Sequence, residues 1–537
     1  MKSLTRFSIL SALTALILLT GCGHHRTGGS GGGNILRVAM QTAPVTFDPA
    51  MCQDVETNQM LQQAYEGLVQ YDTNNKVVPC LAEKWDISPD GLTYTFHLRP
   101  NVKFQNGQPV TADDAAYSLL RTLNPKLSSP VAPEYLNDIQ GAMDVYNGKA
   151  LTVSGVKVLD AMTLAITITK PKAYWVDTLT YPTGWVESKA IAEKEGTRPL
   201  SEADAEAGAG TGPFRVTRFL KDQQVEFAAN PAYWDGAPKI AGQVMRIILN
   251  PGTRHEEFAA GNLDIMRGLV VGDYQTDKSD PAVKSQIKIW PRAGINYLAL
   301  NEAMYTPFKD PRVRAAFAYA TDKQKISDVV TQGIYPIAQD ILPRGIPGGD
   351  PSFQGLPYDP AKAKSLLAAA GFPGGKGLPP LDVYATEKNP LGQKTMDILR
   401  QMYAQNLGVT VSERQMEQGS LIAAIDKNNS VPCFVFGWYA DYLDPQDFYS
   451  LLLSSKSPEN HTGYSDPQFD SLCARADVER DPAKRSSLYR QAALLSSLAP
   501  PRIPLYYAVD PELISPRVSG LDDCLMGHLP YKRVTLK

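Results

Sequence analysis

Three short strings in this chain carry residue types that could do chemistry. Gly208-Ala-Gly-Thr-Gly212 is glycine-rich enough to cradle a phosphate on backbone N–H groups. It lacks the Lys-Ser/Thr of a P-loop and has no clear strand before it, so it reads as the end of an acidic, small-residue loop over 202–212. Ser465, in Gly463-Tyr-Ser-Asp-Pro467, stands where a turn and a helix cap are expected, not on a nucleophile elbow. His255-Glu256-Glu257 opens like a metalloprotease helix, but no second histidine follows at the required spacing. His97, His461 and His528 are scattered, so neither a metal cluster nor a cofactor is expected. Such a chain points to binding rather than catalysis.

The elements that must position any site are mixed. Ile35–Met40, Leu92–Leu98 and Thr163–Thr169 read as strands, the last two alternating at period two. Thr111 caps a helix running to Asn124. Asp310-Pro, Asp359-Pro, Asp466-Pro and Asp481-Pro each place a capping carboxylate before a proline at the first helical position. The helix from Pro360 stops at Gly371. Interspersed strands and helices predict an α/β protein, and 537 residues suffice for two to four domains. Lys+Arg total 53 against 56 Asp+Glu, which leaves no basic surplus for nucleic acid.

The N-terminus reads as a targeting segment. Lys2 and Arg6 precede an apolar run, Phe7 to Leu19, too short for the ~20 residues that span a bilayer. Leu19-Thr-Gly-Cys22 resembles the lipobox of bacterial lipoproteins, in which the cysteine is lipidated. Residues 1–22 are then signal peptide and 23–34 a flexible glycine-rich tether. An exported protein held at the cell envelope by a lipid on Cys22 is the expectation. An oxidising compartment permits a disulfide or two among Cys52, Cys80, Cys433, Cys473 and Cys524, with one left over.

A longer pattern carries a resemblance. The run from Cys80-Leu-Ala-Glu-Lys-Trp85 through Ser88-Pro-Asp-Gly91 and Phe104-Gln-Asn-Gly107 to Ala112-Asp-Asp114 resembles the signature of the peptide-type (family 5) extracellular solute-binding proteins of ABC importers. Thr46-Phe-Asp-Pro49, Tyr65-Glu-Gly-Leu68, Thr211-Gly-Pro-Phe214 and Asn230-Pro-Ala-Tyr-Trp234 continue it. So do Asp310-Pro-Arg-Val-Arg314, Gly437-Trp-Tyr-Ala-Asp-Tyr-Leu-Asp-Pro445 and Ile503-Pro-Leu-Tyr-Tyr507. The resemblance implies an α/β, two-lobed, periplasmic-binding-protein-like fold (type II, cluster C) with an inserted domain. It divides the chain into lobe I (35–66, 185–293, 507–537), inserted domain II (67–184) and lobe III (294–506), with ligand enclosed between lobes I and III by hinge closure.

Read alone, Asp441 caps a turn after the apolar stretch Pro432–Tyr439. In oligopeptide- and dipeptide-binding members the aspartate of this motif holds the ligand's α-ammonium, a role the resemblance carries to Asp441. It likewise gives Gly437 and Tyr439, with Gln53, Asp54 and Val55 across the cleft, the role of pairing with an extended peptide. Trp438 either lines a side-chain pocket or belongs to the core. Asp444 is expected to cap a helix, and Asp447 has no assigned role. Val435 stands where a member of this type can present an arginine to the ligand's carboxylate, which leaves Lys427 as a candidate cation. The implied function is a monomeric, lipid-anchored receptor that captures short peptides and delivers them to a membrane permease. Members also bind nickel chelates, haem, opines, oligosaccharides and glutathione, and an exported hydrolase is the alternative from another class.

Overall fold

The computed structural model describes residues 34–426 and 430–537. Cys22, residues 23–33 of the tether and Lys427 lie outside them. A ten-stranded sheet runs through the molecule in the order Phe214–Leu220, Gln224–Ala229, Gly242–Ile247, Ile35–Met40, Ile265–Arg267, Arg502–Ile514, Ile287–Leu300, Cys433–Tyr439, Leu381–Thr386, Val411–Met416. Ile35–Met40 lies parallel between two neighbours, its register running Ile35↔Gly242 to Met40↔Ile247 on one side. Leu381–Thr386 is parallel to both strands beside it. Between these parallel regions stand two long antiparallel strands, Ile287–Leu300 and Arg502–Ile514, which join the two halves.

Their register slips where the halves meet: Pro291 pairs with Val509, but the next pair is Ile295 with Tyr507. Gly294 sits in this bulge, and a Cβ there would fall 2.7 Å from Ala508 Cβ and 3.0 Å from Tyr439 Cδ1. Glycine is required by close approach rather than by backbone twist.

A second sheet of four strands, ordered Ala82–Ile87, Thr93–Leu98, Thr163–Thr167, Val156–Asp160, packs its apolar face with the helix Ala112–Thr122 over a core drawn from residues 68–186. Thr93–Leu98 alternates between half-buried and buried, as its period-two pattern requires. Asp310, Asp359, Asp466 and Asp481 all accept backbone N–H bonds at the starts of their helices. Gly371 takes a φ of +96° just past the helix Pro360–Ala369. Arg121 ties the four-stranded region to the large sheet's first half through Asp48 at 2.6 Å and Glu187 at 3.0 Å, all three buried.

The disulfide expectation fails. Cys52, Cys80, Cys433, Cys473 and Cys524 are all unpaired and buried. Each behaves as a small apolar residue, and burial pushes every one of these thiols above its ordinary range, where it stays protonated.

Beneath the junction, charges are held out of water. Arg292 bonds Asp510 at 2.5 Å and Asp523 at 2.9 Å. His528 is 1% exposed and reaches Glu512 at 2.8 Å with one ring nitrogen and Asp523 at 2.9 Å with the other. Burial opposes its charge, but the two carboxylates outweigh that cost and push the imidazole up to about 9.

Candidate ligand-binding cleft

The strand Cys433–Tyr439 supplies the centre of the site. It forms because Cys433, Phe434 and Val435 are apolar and buried against Ile287–Leu300, in register from Leu300↔Cys433 to Gly294↔Tyr439. On its other side only Phe434 is bridged, to Tyr384. From Phe436 onward the strand has one neighbour, so the Gly437–Tyr439 backbone presents an open edge among the described residues. Tyr439 is 55% exposed. Val435 is buried opposite Leu298 and cannot serve a ligand carboxylate.

Past the strand the chain turns sharply and is clamped by Asp447, a residue that sequence reasoning left without a role. Asp447 is fully buried, and its Oδ2 accepts from Trp438 Nε1 at 3.0 Å and from the Asp441 backbone N–H at 3.2 Å. Burial, then the neighbouring Asp441 charge, raise its pKa. Trp438 is thus anchored by its indole and half-buried. Asp444 caps Pro445–Asp447 as expected, and it also forms a two-bonded ion pair with Arg485 at 2.5 and 2.7 Å.

Asp441 lines a gap of about 690 Å³, counting the part open to solvent. The same gap is lined by Gln59 of the helix Val55–Leu61, by Gln62 just past its end, and by Tyr181 and His528. Tyr135 donates its hydroxyl to Asp441 Oδ1 at 2.9 Å. The Tyr135 ring stacks on Tyr181 at 3.7 Å with only 7° between planes. Tyr181 in turn donates to the Cys52 carbonyl at 3.1 Å. Burial raises the Asp441 pKa, while the bond from Tyr135 favours its charge and works the other way. Among the described residues no lysine, arginine or histidine pairs with Asp441.

Gln53, Asp54 and Val55 follow Cys52, whose carbonyl accepts the Tyr181 hydroxyl at the end of this tyrosine stack. Gln53 and Val55 are exposed, whereas Asp54 caps Val55–Leu61 by accepting from Thr57 N at 2.9 Å. Tyr135 and Tyr181 escaped the sequence reading because nothing in their local spacing marks them. Tyr135 and Asp441 lie 306 residues apart. Among the described residues no cluster of three or more His, Cys, Asp or Glu is arranged to hold a metal ion.

Residues 76–460 match the family described as bacterial extracellular solute-binding proteins, family 5 Middle. The chain belongs to this family. It is 30% identical to heme-binding protein A of Haemophilus influenzae, over 92% of this chain and 91% of that protein. It is 28% identical to the oligopeptide-binding protein OppA of Bacillus subtilis over 99% of each. Among solved structures, the murein tripeptide binding protein MppA in its unliganded open form superposes with a TM-score of 0.81. That match has 26% identity and covers 94% of this chain and 99% of the other. The architecture of this family 5 protein is accordingly the two-lobed α/β fold.

Proposed function

We propose that this protein captures short peptides between its lobes through their free α-amino group and hands them to the membrane subunits of an ABC importer. The observation that carries this reading is Asp441, a cleft-facing carboxylate largely withdrawn from water, with no cation beside it among the described residues. An incoming ammonium supplies the missing partner in a charge-assisted bond. The open edge at Gly437–Tyr439 supports the same reading, because an extended peptide adds there as a strand without its side chains being read. Gln53–Val55 approach the ligand from the other lobe, and Trp438 and the exposed Tyr439 border its side chains. The relatives named for oligopeptide and tripeptide binding favour this ligand class over the haem of another relative. The body works as a monomer tethered by a lipid on Cys22, outside the cytoplasm, and performs no catalysis.

Native mass spectrometry of the protein purified without denaturation tests the ligand. Removing one member of such a desolvated pair costs about 3–5 kcal/mol, or roughly 10²–10⁴ in affinity. A set of co-purifying short peptides should therefore vanish in Asp441→Ala. A single non-peptide species, or peptides kept equally by the variant, would overturn the assignment.

A further inference from the structure

We propose that the gap lined by Asp441 receives the side chain of the ligand's first residue, and that Gln59 makes it select a neutral hydrogen-bond donor over apolar and acidic groups. The inference rests on the peptide reading above and names the peptides that site favours. An ammonium held by Asp441 leaves the first side chain one carbon away from the nitrogen, and Asp441 and Gln59 line the same gap.

Gln59 is 7% exposed, and its Oε1 is buried with no hydrogen-bond donor among the described residues. A bare buried acceptor is costly, and an arriving N–H or O–H removes that cost. The amide is also fixed in place. Its Nε2 lies 2.3 Å from where a Cβ on Gly527 would stand, so a side chain there would collide with it, and Gly527 takes a φ of +128°. Further along the chain, Gln62 donates Nε2 to the His528 carbonyl at 2.7 Å and ties the helix end to the same hairpin. With helix and hairpin joined, the amide has little freedom to turn toward another partner. A leucine in place of asparagine leaves the acceptor bare, which is how a polar site rejects an analogue of the same shape that lacks its donor.

The charges around the gap act against an acidic side chain. Two carboxyl groups line it, Asp441 and Glu66. Glu66 is buried and accepts from Thr211 Oγ1 at 2.8 Å, Tyr233 Oη at 2.6 Å and Trp234 Nε1 at 3.0 Å, so those donors are already spent. Among the described residues His528 is the one basic residue lining the gap. Its ring nitrogens are committed to Glu512 at 2.8 Å and Asp523 at 2.9 Å. A ligand carboxylate would enter beside two carboxyl groups with no cation to meet it, and a desolvated charge without a partner is expensive. Asparagine and aspartate share one shape, so charge alone separates them here.

Isothermal titration of Asn-Ala-Ala, Leu-Ala-Ala and Asp-Ala-Ala into the full chain near neutral pH compares first side chains of similar size. Asn-Ala-Ala should bind ~10-fold tighter than Leu-Ala-Ala and ~100-fold tighter than Asp-Ala-Ala. Gln59→Met keeps the bulk and removes the acceptor, so Leu-Ala-Ala should draw level with Asn-Ala-Ala while Asp-Ala-Ala stays weakest. Ala-Ala-Asn should bind the wild type no tighter than Ala-Ala-Leu, since only the first side chain meets Gln59. The wild-type comparison needs no variant, so a poorly folding substitution does not blur it. Equal affinity for Asn-Ala-Ala and Leu-Ala-Ala, Asp-Ala-Ala as tight as Asn-Ala-Ala, or an asparagine preference unchanged in Gln59→Met overturns this inference and leaves the peptide reading standing. Failure of all three peptides to bind, or equal binding of N-acetylated Asn-Ala-Ala, overturns both.

Discussion

Replacing His528 by glutamine should cost far more stability in mild acid than in alkali. The imidazole is 1% exposed, gripped by Glu512 at 2.8 Å and Asp523 at 2.9 Å. It is pushed from 6.5 to about 9. That gap, at 1.36 kcal/mol per pH unit, makes the charged ring worth about 3 kcal/mol to the folded state. Because the folded value is the higher one, this contribution is fully present below pH 6.5. It disappears as pH rises through 9. The variant should therefore unfold about 3 kcal/mol more easily than the wild type near pH 6, and the difference should nearly close by about pH 9.5. Urea midpoints of both proteins at the two pH values measure it. Other groups that titrate in the same window, such as the buried Lys323 held down to about 8, cancel in the comparison. Histidine C2 hydrogen exchange gives the His528 titration directly. A cost independent of pH, or a ring titrating at or below 6.5, would refute the argument that Glu512 and Asp523 outweigh burial.

Two further outcomes follow from the packing. Arg121→Ala leaves Asp48 and Glu187 buried without their cation, and should lower stability by about 3–5 kcal/mol. An unfolding free energy from urea titration lowered by less than about 1 kcal/mol would show that the pair finds other partners. Gly294→Ala drives a methyl group to 2.7 Å from Ala508 Cβ. The strain should cost about 1–3 kcal/mol, and adding Ala508→Gly should restore much of it. Wild-type unfolding of the single variant would mean that the bulge yields freely.

Much of this architecture is written locally. A strand such as Thr93–Leu98 shows its buried face in its own alternation, and the Asp-Pro pairs announce helix starts because capping involves only neighbouring residues. Asp441 was legible only through a family motif, since an aspartate after a strand is ordinarily a turn former. Its surroundings were not legible at all. Tyr135, stacked on Tyr181, meets it through tertiary packing of a distant segment, and Asp447 gains its role from one tight turn. The cysteines misled for a related reason. Compartment argues for disulfides, but pairing needs two sulfurs to meet in space, and these five are all buried and unpaired.

The position of the first strand sets the order in which the molecule can be completed. Ile35–Met40 has no sheet partner until residues 242–247 have been made, roughly two hundred residues later. The segment 68–186, by contrast, contains its whole apolar core in one continuous stretch and can close early. A chain emerging N-terminus first thus carries an unpaired strand, open to strangers on both edges, while an interior segment is already folded. Tyr531 and Val534 pack in the same core as Leu36 and Val38, so segments some five hundred residues apart complete one core together.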